Sequence, residues 1–468
     1  VNETSYDVKI WNIETRPGKT KTSYRVTWFV AGERFDKKKA TYALAESFRS
    51  DLVAAARRGE AFECARGLPV SMLRNENDLP FFAFACKYVD MKWTRAAGKS
   101  RAGNADTLAS VLPAMLATIR GKPDDRVLRR ALTGWAFNTK RREDPKPPEI
   151  EQALKWVQAN TLPTSRLNDP AKLREVLDQI SLKLDGKQAA AKTVYRKRAV
   201  FNNALEYALE LKILTANRLS EVKWTAPKTV RAIDKRVVIN PAQGRNLLTA
   251  VEAQKVDTAP RRSSGPMLKA FFAAMYYAGL RPEEAAMLCK PDLQLPEAGW
   301  GELLLSTTAP TTGAAWTDSG ERRDRRQLKQ RAEGEVRAVP SPPPLTAVLH
   351  QHLKTFGTAA DGRLFRNLTG GDLAESTISR VWDNARKTAL SESEYASPLA
   401  RRPYDLRHAC VSTWLAAGVP ATQCAAWAGH SVAVLLTTYA AVIAGLEAEA
   451  HERIERALDW DDDADTSE

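Results

Sequence analysis

The sequence predicts a multidomain protein that is mainly α-helical with small β-sheets. Three observations predict it. The chain has 468 residues, which at about 150 per domain suggests roughly three domains. Period-two alternation marks the first sixty or so residues, two short stretches at 303–305 and 336–339 read as further strands, and helical spacing fills most of the rest. Hydrophobic residues are 44% and charged residues 27%, a balance that supplies several cores and excludes a wholly disordered chain.

Residues 1–62 read as a three-stranded sheet followed by one helix. Tyr6, Val8 and Ile10 alternate with Asp7 and Lys9, and Tyr24, Val26, Trp28 and Val30 alternate with Arg25, Thr27 and Phe29. Arg16-Pro17-Gly18 and Ala31-Gly32 supply turns. Leu44, Phe48 and Leu52 then recur every four residues, and Gly59 stops the helix. Such a sheet is expected to present Lys9, Arg25 and Thr27 outward.

Residues 76–222 carry helical patterns only, at Phe81–Trp93, Ala105–Ile119, Val127–Phe137, Ile150–Ala159 and Ala189–Leu214. The last is expected to turn Val194, Val200, Leu205 and Leu209 inward, with Lys192, Arg196 and Lys197 on a basic flank. The pattern lapses between Trp224 and Arg236, as an interdomain linker would. A third domain, 237–458, reads as mostly helical with one short sheet, formed by Leu303-Leu304-Leu305 and Val336–Val339, the latter stopped by Pro340. Residues 459–468 form an acidic tail.

The charge has a direction. The 70 Lys and Arg exceed the 56 Asp and Glu, a net +14. The last ten residues hold six acids and no base, so the body is more basic still. A basic body favours a polyanionic partner, most simply nucleic acid, and helices with basic faces suit the major groove of a duplex. The apolar runs are short and broken by charge, so no membrane partner is expected. Val1 to Tyr24 lacks the apolar core of a secretory signal. Five scattered cysteines form no CxxC pair, which disfavours a disulfide framework or a structural zinc site and fits a reducing cytoplasm.

Four places in the third domain stand out. In Gly279-Leu280-Arg281-Pro282-Glu283-Glu284, Gly279 ends one helix and Pro282 opens the next, so Arg281 sits at a rigid junction with Glu284 close enough to orient its guanidinium. In Tyr404-Asp405-Leu406-Arg407-His408, Tyr404 and Arg407 share a helical face. Gly429-His430-Ser431 and Thr437-Thr438-Tyr439 complete the set. Arg281 and Arg407 lie 126 residues apart, His430 follows Arg407 by 23, and Tyr439 follows His430 by 9.

In this ordered combination the chain resembles the tyrosine recombinase (phage integrase) family, most closely the integrases of actinobacterial phages and integrative elements. The segment Trp427-Ala428-Gly429-His430-Ser431-Val432-Ala433-Val434-Leu435-Leu436 carries the closest likeness. The resemblance implies an arm-type DNA-binding sheet, a helical core-binding domain and a mainly α catalytic domain, matching the three blocks. It also implies attachment-site duplex DNA as substrate, a homo-oligomer on DNA (a tetramer in the synaptic complex), an excision factor and a DNA-bending host protein as partners, and a bacterial, nucleoid-associated location. No cofactor or metal is expected, since no metal-ligand cluster lies near the four motifs.

The residue types suit such a reaction. Attack of a tyrosine on a phosphodiester builds negative charge on the non-bridging oxygens, and two guanidiniums offer fixed donors that stay charged. Arg281 and Arg407 fit that role, and His430 can add a hydrogen bond. The resemblance implies Tyr439 as nucleophile, giving a 3′-phosphotyrosine that conserves bond energy. The leaving 5′ oxygen needs a proton, normally from a lysine on a strand-turn-strand element, and Lys329 is the one lysine between Lys290 and Lys354. The chain departs from the family at Tyr404, where a histidine is usual; its hydroxyl can still donate to phosphate without a charge.

Two rival functions use the same residues. A type IB topoisomerase would employ similar chemistry, and a DNA-binding regulator would keep the fold without the reaction. The N-terminal sheet and a C-terminal helix with Val442, Leu446, Ile454 and Leu458 on one face favour the recombinase. The joint presence of both arginines, His430 and Tyr439 disfavours the silent regulator.

Overall fold

The structure is a computed structural model. It is described for residues 3–17, 22–72, 78–228, 232–254, 265–329, 331–332, 334–367, 369–443 and 447–458. The acidic tail and the side chains of Val442 and Leu446 lie outside the described residues. The protein is mainly helical with small antiparallel sheets, and it divides into two compact units, 1–96 with 100–227 and 97–99 with 228–468. No helix among the described residues is long and apolar enough to cross a membrane.

The first unit opens with a sheet built on the strand Ser23–Val30. Glu33–Lys39 pairs along one edge, joined through Ala31 (φ 49°) and Gly32 (φ 84°), a turn whose two positive φ values match the twist of a hairpin. Along the other edge lie two short strands, Val8–Ile10 and Glu14–Arg16. The sheet therefore has four strands in three positions. The interruption has a local cause: Ile10 pairs with Trp28 but Glu14 pairs with Arg25, so four steps on one strand oppose three on the other. One extra residue is accommodated as a bulge.

Val26, Trp28 and Val30 pack with Ala45, Leu52 and Ala55 of the helix Tyr42–Arg57. Leu44 does not join them. It is exposed in the first helical turn, where its N–H donates to the N-cap Thr41 Oγ1, and Ala45 takes the inward position. Thr27 also departs from the expectation of an outward residue. It is buried, 8% exposed, in the strand flanked on both sides, so it offers no contact surface.

The helices Phe81–Trp93, Gly98–Val111, Asp125–Ala131, Pro148–Ala159, Pro170–Ile180 and Ala191–Glu210 follow. The buried face of Ala191–Glu210 is Val194, Lys197, Phe201, Ala204, Leu205 and Ala208. Val200 and Leu209 are only half-buried. Lys197 stands three residues after Val194 and four before Phe201, which fixes it on the apolar stripe rather than the basic flank. Its Nζ donates to Ser110 Oγ at 2.8 Å, and burial pulls its pKa down.

In the second unit the helix Gly265–Tyr277 is buried nearly all round, through Leu268, Phe271, Phe272, Met275 and Tyr276. It packs against the helices Pro241–Glu252, Pro343–Phe356 and Asp405–Ala416. Beside this core runs a three-stranded antiparallel sheet in the order Arg337–Ser341, Gly301–Leu305, Leu293–Gln294. Pro340 does not stop its strand but pairs opposite Glu302. Arg337–Ser341 is an edge strand, where a missing N–H can face away from the ladder. The helices Ala421–Ala428 and Val432–Ile443 pack on Asp405–Ala416 through Val411, Leu415, Cys424, Ala425, Leu435 and Tyr439. The helix Glu447–Ala457 comes last, with Ile454 and Leu458 exposed.

Candidate active site

Local geometry brings Arg281 to a fixed point. Gly279 (φ 62°) ends the buried helix in the left-handed region, and Pro282 begins a short helix directly after Arg281. Glu284, three residues on, is 2% exposed. Its carboxylate accepts the Arg281 backbone N–H at 2.9 Å and the guanidinium Nη1 at 2.6 Å. Arg281 Nη2 donates to the Gly429 carbonyl at 2.7 Å.

Glu284 holds a second arginine. Arg337, at the start of the edge strand and 3% exposed, donates to both carboxylate oxygens, at 3.1 Å and 2.7 Å. Burial alone would raise the Glu284 pKa, but Arg337 and then Arg281 outweigh it and hold the carboxyl down at about 2. Burial likewise opposes the charge on Arg281, and Glu284 more than restores it.

Arg407 is fully buried in the helix Asp405–Ala416. Its Nη1 donates to the Gly279 carbonyl and its Nη2 to the Ala428 carbonyl, tying three segments together. The same Nη2 lies 2.9 Å from His430 Nε2. An arginine only donates, so Nε2 accepts and the His430 proton sits on Nδ1. Burial, then Arg407, Arg281 and Arg337, push the His430 pKa down to about 3, so the ring is neutral at physiological pH. Among the described residues its Nδ1 is buried without a partner, as are Arg407 Nε and Arg337 Nε. Buried donors without partners are costly, and here three belong to one cluster of positive charge.

Gly429 makes the close approach possible. It caps Ala421–Ala428 with φ 61° and ψ 47°, and a Cβ there would stand 2.2 Å from Arg337 Nη1. Both conformation and space thus require glycine.

Tyr439, in Val432–Ile443, is fully buried, and its hydroxyl lies 3.0 Å from His408 Nδ1. Burial raises the phenol well above its ordinary pKa, with Arg407 opposing. Tyr404, half-buried just before the helix, sets its ring T-shaped against His408 at 5.2 Å.

The structure thus joins Arg281, Glu284, Arg407 and His430 in one network, and sets the rings of Tyr404 and Tyr439 both against His408. Lys329 makes none of the hydrogen bonds of this network. It is exposed in the turn after the strand Arg326–Gln327, which pairs with Thr307–Thr308. Sequence reasoning missed Arg337 and His408. A charged residue in an apolar strand was the available signal for Arg337, and adjacency to Arg407 the signal for His408. Of the residues expected to meet DNA, Lys9 and Lys192 are exposed. Arg25 is paired with Asp36 at 2.9 Å and Arg196 with Asp106 at 3.3 Å. Thr27 and Lys197 are buried, as described above. Among the described residues no group of three or more His, Cys, Asp or Glu could hold a metal ion.

No family model matches this chain, and no curated protein matches it. Among solved structures it is similar to the Tn1549 transposon integrase in complex with a circular intermediate DNA, at 17% identity and a TM-score of 0.44 over 66% of this chain and 93% of that one. It is similar to the XerH site-specific recombinase bound to palindromic difH substrate, at 12% identity and 0.41 over 78% and 97%. It is also similar to the lambda integrase bound to DNA, at 14% identity and 0.38 over 62% and 86%. Two of these solved proteins are integrases and the third is a site-specific recombinase.

Proposed function

We propose that this chain is a site-specific DNA recombinase that cleaves and rejoins duplex DNA through a 3′-phosphotyrosine at Tyr439, integrating or excising a mobile element. One observation carries the reading. Residues distant in sequence, Arg281, Arg407 and His430, converge on a buried positive cluster that leaves His430 Nδ1 and Arg407 Nε unpartnered. Such donors are what the charge growing on a transferring phosphoryl group needs, and their fixed pairing removes the cost of reorganisation. Arg281 and Arg407 supply charge, neutral His430 donates through Nδ1, and Glu284 sets the two arginines it binds. Tyr439 is the nucleophile. Lys329 is the acid for the 5′ oxygen, brought from its exposed turn to the DNA. Tyr404, in place of the family's usual histidine, supports the same cluster as a neutral donor.

The same reading assigns residues 1–62 to arm-site DNA, 76–222 to core-site DNA and 237–458 to catalysis. It implies assembly of several copies on DNA, with an accessory excision factor.

The test is a nicked duplex whose cleavage releases a short fragment and traps the covalent complex. The chain is expected to form an adduct whose peptide map places the phosphotyrosine at Tyr439. Tyr439→Phe should abolish that adduct while binding DNA normally. An adduct at Tyr404, or one that survives Tyr439→Phe, overturns the assignment. Recombinant products between two sites separate a recombinase from a topoisomerase.

A further inference from the structure

Arg407 and His408 are neighbours on one helix, and successive helical residues point about 100° apart, so they serve different partners. Arg407 turns into the carbonyls of Gly279 and Ala428, while His408 turns to the helix Val432–Ile443 and meets the Tyr439 hydroxyl at 3.0 Å. That distance is within the reach required of a proton acceptor. The hydroxyl is enclosed, since Tyr439 is fully buried among Val411, Leu415 and Leu435. Water has no access to it in this arrangement. A phenol whose ionisation burial opposes will not supply a phenolate unaided. The aromatic ring of Tyr404 packs T-shaped on the same imidazole, with ring centroids 5.2 Å apart.

From this geometry we infer that His408 is the group that takes the phenolic proton of Tyr439 as its oxygen attacks phosphorus, and that it holds the hydroxyl in place beforehand. The inference rests on the reading of Tyr439 as nucleophile. In the resting state the ring proton is on Nε2, and the Tyr439 O–H donates to Nδ1. In the step, the O–H bond breaks and its electron pair forms the Oη–P bond, while the proton passes to Nδ1. The P–O5′ bond breaks with its pair on the 5′ oxygen, which takes a proton from the separate leaving-group acid. Rejoining runs the sequence backwards, and His408 returns the proton to Tyr439. The chain thus divides labour along one helix, with Arg407 stabilising charge and His408 moving a proton.

The experiment measures single-turnover cleavage of the nicked duplex by the full chain, with DNA affinity and thermal melting recorded for every variant. His408→Ala removes the acceptor. His408→Asn keeps a polar atom near the Nδ1 position but has no useful basicity. Both are expected to cleave about 10²-fold more slowly, the low end of acid–base contributions, at unchanged DNA affinity. Replacing Tyr439 with a trifluorotyrosine, whose phenol ionises more readily, should then accelerate His408→Asn at least tenfold more than it accelerates the parent chain. A purely structural role predicts equal acceleration in both. His408→Asn cleaving at the parent rate, or equal acceleration by the fluorinated residue, overturns the inference. A parent chain with no adduct at Tyr439 overturns the nucleophile reading instead, so the two failures are distinct.

Discussion

The arginines of the buried cluster and those of the outer faces differ in what holds them. Arg337 and Arg407 are buried and Arg281 is half-buried, and all three are tied to Glu284 or to backbone carbonyls at helix ends. Arg25 and Arg196 pair with single carboxylates, Asp36 and Asp106, in half-buried or exposed surroundings. The first kind is positioned before any ligand arrives. The second can exchange one oxygen anion for another at little cost, because exposed ion pairs contribute little to stability. Residue type alone does not separate these two uses; the partner and the burial do.

The largest expected effect breaks the first kind. Arg407→Ala should reduce single-turnover cleavage by about 10³-fold, the scale seen when a fixed charge-stabilising donor is removed. It should also lower the melting temperature, because the Gly279 and Ala428 carbonyls lose their donor. Retention of full cleavage would show that the cluster is only structural.

Glu284→Gln sharpens the contrast through stability. Breaking a buried ion pair by removing one partner costs about 3–5 kcal/mol, so denaturant midpoints at neutral pH should fall markedly. The acid dependence gives a second reading. Glu284 has its pKa held at about 2, below the ordinary 4.5, so its contribution is complete above pH 4.5 and is lost as the pH falls toward 2. The variant should lose less stability than the parent over that window. An unchanged acid profile would mean that Glu284 does not carry the cluster's charge balance.

The smallest effects belong to the outer faces. Lys192→Ala and Lys9→Ala should each leave stability within about 0.5 kcal/mol. Each should flatten the dependence of log K on log salt by about 0.9 if its amine meets a phosphate. Lys197→Met should leave that slope unchanged, because its amine is already engaged with Ser110. A lowered slope for Lys197→Met would show that this helix face opens on DNA.

Part of this fold and site is legible in the sequence. Phe81–Trp93 is read to the residue, but the helix expected at Ala105–Ile119 runs over Gly98–Val111, the one expected at Val127–Phe137 over Asp125–Ala131, and Pro170–Ile180 is not anticipated. The junction at Arg281 was legible because glycine and proline act locally, one permitting a positive φ and the other opening a helix. What escaped was whatever depends on a partner distant in sequence. Arg337 meets Glu284 only because the sheet edge is laid beside the short helix, and nothing in a linear string links positions 53 apart. Lys197 and Thr27 were misplaced for a different reason. A basic or hydroxyl residue reads as outward by type, yet the helical register and the flanking strands put both inside. The bulge in the first sheet is a one-residue register change, which alternation cannot reveal when three residues separate two short strands.

The Glu284 hub has a consequence for electroneutrality. Two guanidiniums, of Arg281 and Arg337, share its carboxylate, Arg407 binds carbonyls instead, and His430 stays neutral, so the cluster retains two uncancelled positive charges. On the proposed chemistry, a resting phosphodiester brings a single negative charge and leaves the cluster in surplus. The five-coordinate phosphorus reached during attack carries about two. The cluster is therefore closest to neutral only at the height of the reaction, so its charge count alone already favours the transition state over the bound substrate.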